Sequence, residues 1–211
     1  MAVSGAIGRE DNVIHLTYED MMMIKKEIIS RNPLLNLGFE NEYILQSGGL
    51  GAVLAHAGVG KTALLVQMAL HAMMNEQPVL HVSLNDAVSK VDIWYRELFH
   101  DMASKNDSAE ITEYWENILN YRFIMTFRVE GFSVPKLEER LTDLMQQNIF
   151  KPYAVILDGL KFDESGRGLL LELKELAKKY AMRIWFTVHT HRHEPPREDG
   201  LPFSFLHVAD L

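Results

Sequence analysis

Short unbroken apolar runs alternate along this chain with longer stretches in which apolar residues recur every three or four positions. The first pattern predicts strands covered on both faces, and the second predicts helices with one buried stripe. Thr17 to Ser30 reads as a helix, with Thr17 as its cap and Glu19 and Asp20 at the positive end of its dipole. Met21 to Met23 are expected on its buried face. Asn32-Pro33 ends that helix, and Gly48-Gly49 makes a turn ahead of a strand over Ala52 to Ala55. A helix from Thr62 to Asn75 and a strand from Val79 to Leu84 follow. Val88 to Ala103 is predicted helical, with Ile93, Trp94, Leu98 and Met102 at core spacing, and Ala109 to Leu119 forms a further helix. A strand over Tyr121 to Phe127 precedes a helix that Pro135 opens and that runs to about Asn148. Tyr153 to Leu157 is a buried strand ending in Asp158, Gly168 to Tyr180 a helix, and Arg183 to Val188 a last buried strand. Strand and helix alternate, so the expected fold is α/β: a mostly parallel central sheet flanked by helices in three layers, with right-handed crossovers.

Composition narrows the function classes. The length of 211 residues and a hydrophobic share of 47% suffice for one substantial core, and no internal repeat or low-complexity segment divides the chain. Residues 1–32 read as a lead-in and helix, and 33–211 as the main domain. The absence of cysteine removes disulfides, thiolate metal sites and cysteine nucleophiles, and fits a reducing cytoplasm, the expected location. No apolar run is long enough to span a bilayer, and Met1 to Asn12 lacks the pattern of a secretory signal. A net charge of −8 gives no general attraction to nucleic acid, which is therefore not favoured as a partner, although a local basic patch is compatible with an acidic domain.

The candidate chemistry lies where the first strand meets its helix. Ala55-His56-Ala57-Gly58-Val59-Gly60-Lys61-Thr62 joins the two, with Ala63 just inside the helix. Glycines let the backbone curl so that several N–H groups face one anion, and the helix start adds uncapped amides and the positive end of a dipole. Lys61 supplies a point charge for the β- and γ-phosphates of a nucleotide, and the Thr62 hydroxyl is set to ligate Mg2+. His56 lines or tunes the pocket. Asp158 closes an apolar strand at the end where open α/β sheets bind ligands, and is the expected carboxylate for the metal or its water shell.

On these residues the chain resembles the RecA-like P-loop ATPases, on the side that includes KaiC, RadA and the DnaB-type replicative helicases. The resemblance covers about 33–211. It rests on Gly48-Gly49, Ala55 to Thr62, Val79-Leu80-His81-Val82-Ser83-Leu84, Leu157-Asp158 and Phe186-Thr187-Val188-His189. It implies ATP or ADP with Mg2+ as ligands, and a homo-oligomer or protein partner. In that family the strand like Val79 to Leu84 ends in a glutamate that orients the attacking water. Asn85 stands here, and asparagine is a poor general base, so Asp86 is the candidate substitute, with Asn85 as a non-basic holder of the water. His189 matches a polar sensor position. His191 and His193 share its face if the strand continues, but no carboxylate or thiol completes a metal set. Arg192 and Arg197 read as solvated surface charge, and an arginine finger has no match. His207 to Leu211 resembles the family's approach to its next core strand, beyond which the resemblance has no match.

The expected activity is thus ATP hydrolysis coupled to a conformational change, weakened by Asn85. A non-hydrolysing nucleotide switch is the alternative, and a DNA-dependent, helicase-like motor a further one.

Overall fold

The computed structural model describes residues 17–30, 45–56, 58–103, 108–128, 131–160 and 166–189. Its elements are α1 (Tyr18–Ser30), β1 (Leu50–Ala55), α2 (Lys61–Met74), β2 (Val79–Ser83), α3 (Val88–Met102), α4 (Ala109–Leu119), β3 (Arg122–Thr126), α5 (Val134–Gln146), β4 (Ala154–Asp158), α6 (Gly166–Lys179) and β5 (Arg183–His189). Each predicted strand and helix is present, with ends that match or shift by at most two residues.

The five strands form one all-parallel sheet in the order β1-β5-β4-β2-β3. This order explains where the helices lie. The chain leaves β1 through α2, passes over two strand positions to β2, and continues outward through α3 and α4 to β3. It then returns through α5 to β4 and through α6 to β5. Right-handed crossovers that run in opposite directions must cover opposite faces. One core accordingly holds Ile28 of α1 with α2, α3 and α4 against Val79, Ala154 and Ile156. The other holds α5 and α6 against Leu80, Val82, Val155, Leu157, Ile184, Phe186 and Val188. β2 and β4 are buried at every residue, whereas β1, whose described partner is β5 alone, is half-buried along its length.

Two sequence expectations change at the level of helix faces. Met21 packs against the core, but Met22 is 43% and Met23 70% exposed. Consecutive residues turn about 100° around a helix, so three in a row cannot share one buried stripe. On α3 the buried seam is Val91, Tyr95, Phe99 and Met102, and Ile93 is more than half exposed while Trp94 and Leu98 only border the core. The i, i+4 spacing of Val91, Tyr95 and Phe99 defines the stripe better than the spacing read from Ile93. Thr17 does cap α1: its hydroxyl accepts the Asp20 N–H at 3.2 Å, and Asp20 accepts the Thr17 N–H in return.

Candidate functional site at the carboxyl end of the sheet

The β1–α2 loop, the residues after β2 and the end of β4 all lie at the carboxyl edge of the parallel sheet, the edge at which open α/β sheets bind ligands. Gly58 and Gly60 have φ of 81° and 92°, left-handed values that cost a side-chain-bearing residue about 1–2 kcal/mol. A Cβ at either position would meet nothing within 4 Å, so backbone conformation, not crowding, demands glycine there. Gly60 is the N-cap of α2 and no side chain caps the helix. The Leu64 N–H reaches the Gly60 carbonyl and closes the first turn, which leaves the amides of Lys61, Thr62 and Ala63 outside the intrahelical ladder. Val59 at the loop tip is 61% exposed. Ala57 lies outside the described residues.

Lys61 folds back across this loop. Its Nζ donates to the carbonyls of Ala55 at 2.7 Å and His56 at 2.8 Å. Burial holds its pKa below the ordinary lysine value, and the negative charge of Asp158 opposes that shift. The ammonium is therefore tied to the β1 end of the loop in a partly buried position, within the field of the strand-end carboxylate.

Asp158 meets Thr62 from 96 residues away in sequence: Thr62 Oγ1 donates to Asp158 Oδ2 at 2.7 Å. The second carboxylate oxygen, Oδ1, accepts a hydrogen bond from Thr187 Oγ1 at 3.0 Å, and the Gly159 N–H approaches the same hydroxyl at 3.4 Å. Thr187 lies on β5, the strand between β1 and β4, and is fully buried. The pair of oxygens from Thr62 and Asp158 is of the hard type that suits Mg2+. Among the described residues no three His, Asp or Glu side chains converge on one point.

The residues after β2 are placed separately. Ser83 pairs in register with Asp158, and its Oγ accepts the Asp86 N–H at 3.0 Å. The Asp86 carboxylate is held by Lys90 at 2.5 Å on the first turn of α3. The Asn85 amide lies against the Cα of Gly159, where any Cβ would collide with it. His189 ends β5 opposite Ala55 in register. His191, His193, Arg192, Arg197 and His207 to Leu211 lie outside the described residues.

Beneath the site, two residues before Ser83 on the same face of β2, His81 is fully buried and its Nδ1 lies 3.1 Å from the Tyr95 hydroxyl. Burial pushes its pKa down to about 4, with Asp158 opposing and Arg122 reinforcing the shift. The Tyr95 hydroxyl is pushed up by the same burial. Arg122 stacks 4.6 Å over the Tyr95 ring and pairs with Asp92.

Sequence reasoning singled out Lys61, Thr62 and Asp158, and the fold brings them together. It gave no individual role to Thr187, Ser83 or Gly159. The available signal was a polar residue at an alternate position of an otherwise apolar strand, such as Thr187 between Phe186 and Val188. No helix among the described residues is long and apolar enough to cross a membrane. Compared with known proteins, the chain matches no family model and none of the curated proteins.

Proposed function

We propose that this protein binds ATP or ADP with Mg2+ at the β1–α2 loop, as a RecA-like P-loop domain whose nucleotide state sets the conformation of the strand-end loops. The observation that carries this reading is the contact between Thr62 and Asp158 beside a glycine-turned, uncapped helix start. Neighbouring oxygens in an octahedron of about 2.1 Å radius lie about 3 Å apart. The 2.7 Å separation of Thr62 Oγ1 and Asp158 Oδ2 fits such a pair with little adjustment. Two protein oxygens are enough, because Mg2+ takes its other ligands from water and phosphate.

When bound, Mg2+ would screen the charge of the β- and γ-phosphates. The amides of Gly58, Gly60, Lys61, Thr62 and Ala63 would take phosphate oxygens at the positive end of the α2 dipole. The Lys61 ammonium would exchange the Ala55 and His56 carbonyls for the β- and γ-phosphates, gaining an anionic acceptor in place of neutral ones. The strand order supports a sensor role for His189, since β5 runs between the loop strand and the acid strand and ends beside Ala55.

Hydrolysis needs an oriented water. Asn85 is no base and packs on Gly159, while Asp86, the candidate substitute, is engaged by Lys90. That ion pair favours a slow, switch-like nucleotide cycle over fast turnover. The net charge of −8 lends no support to a DNA-driven motor.

The test is calorimetric titration of the full chain with ATP and ADP, with Mg2+ and with a chelator, followed by phosphate release at saturating ATP. Micromolar affinity that strengthens with Mg2+ is expected. No affinity for any nucleoside triphosphate at millimolar Mg2+ overturns the reading. Turnover near background with tight binding marks a switch, and rapid turnover marks an ATPase.

A further inference from the structure

We infer that Thr187 is the positioning residue that selects which oxygen of Asp158 is presented to Mg2+, an inference that rests on the nucleotide site proposed above. The direction of its hydrogen bonds follows from donor chemistry. A backbone N–H can only donate, so the Thr187 hydroxyl must accept from Gly159 and spend its single proton on Asp158 Oδ1. Oδ1 is thereby occupied from inside the sheet, and Oδ2 is the oxygen turned toward Thr62. Thr187 is 1% exposed, and as a β-branched residue on a strand it has few rotamers to visit. Its hydroxyl is therefore a fixed reference point for the carboxylate plane.

The brace extends to the next strand. Gly159 has φ of 92°, and the Asn85 amide packs on its Cα from the β2 side. The backbone immediately after Asp158 is thus hydrogen-bonded to Thr187 of β5, with the Asn85 side chain packed beside it just beyond the end of β2. Without the Thr187 hydroxyl, Oδ1 loses its buried hydrogen-bond donor. The carboxylate then turns toward whatever donor it can reach, and the orientation facing Thr62 is lost. Outer partners of metal ligands typically change metal affinity 10–100-fold when removed.

The experiment titrates Mg2+ into a fixed concentration of a fluorescent ATP analogue with wild type, Thr187→Val, Thr187→Ala and Thr187→Ser. Thermal melting in chelator accompanies each titration. The half-saturating Mg2+ is expected to rise about 10–100-fold in Thr187→Val and Thr187→Ala, while analogue affinity in chelator stays within about twofold, because the loop amides and Lys61 are untouched. Thr187→Ser, which keeps the hydroxyl, is expected to restore Mg2+ dependence. The alanine variant carries the test should valine not fold. The inference is overturned if Mg2+ half-saturation is unchanged in the variants that lack the hydroxyl. It is equally overturned if their affinity in chelator falls in parallel with their affinity in Mg2+, or if serine fails to rescue. A wild type that binds no nucleotide overturns the site itself and this role with it, a result distinct from a wild type that binds and variants that match it.

Discussion

Replacing Lys61 with methionine keeps an unbranched side chain one atom shorter and removes its charge from a partly buried position. In the ligand-free protein the loss is two bonds to carbonyls, those of Ala55 and His56, and the attraction of Asp158. The His56 side of the loop is exposed, so water can replace the donor, and the ammonium's own desolvation cost disappears with it. The net change in stability should be about 1 kcal/mol or less. With a nucleotide bound, the same ammonium faces phosphate charge at about 4 Å, worth roughly 4 kcal/mol per unit pair at an effective dielectric constant of about 20. The dissociation constant should therefore rise on the order of 10²- to 10³-fold. Thermal melting separates the two effects. Nucleotide at about 100 times the wild-type dissociation constant stabilises by about 2.7 kcal/mol, or about 5–10 °C for a domain of this size. The same concentration should give Lys61→Met at most about 0.4 kcal/mol, or about 1 °C. A variant whose ligand-induced shift equals that of wild type refutes the assignment of Lys61 to phosphate. A variant whose unliganded melting temperature falls by as much as the missing shift makes Lys61 a structural residue instead.

Three further outcomes follow from the geometry. His81 has a folded pKa of about 4 against about 6.5 when unfolded, so the unfolded state binds the extra proton between those values. Stability should fall as pH drops from 7 to 5, with His81 accounting for about 2 kcal/mol, and urea midpoints of wild type and His81→Gln should converge toward the acid side; parallel curves refute this. Lys90→Met releases the Asp86 carboxylate, so phosphate release should rise several-fold and return to the original level when Asp86→Asn is added; an unchanged rate removes Asp86 from the chemistry. Gly159→Ala forces a Cβ onto a left-handed backbone at a cost of about 1–2 kcal/mol in urea unfolding, and trimming Asn85 to alanine should recover little of it, since the displaced group is the end of a flexible side chain.

Helix and strand positions were legible in the chain because each depends on neighbours within a few residues. The apolar run from Tyr153 to Leu157 and the stripe of α6 declare their period locally, and the Gly58-Val59-Gly60 turn declares its own dihedral demand. What could not be read was which helix residue turns outward when several apolar residues adjoin, as at Met22, Met23 and Ile93. A helix stripe is chosen by the surface it packs against, and that surface is made by distant segments.

The same division runs through the site. Lys61, Thr62 and Asp158 announce themselves by residue type at the end of a strand or the start of a helix. The partnership of Asp158 with Thr187 has no local signature, whereas Asp86 and Lys90 form an i, i+4 pair whose spacing is legible in the chain. Thr187 reaches Asp158 only because β5 lies between β1 and β4, a strand order that, with right-handed crossovers, puts α2 to α4 on one face and α5 and α6 on the other. Short-range periodicity names the parts and their chemistry; the pairing of those parts depends on strand order, a property of the whole sheet.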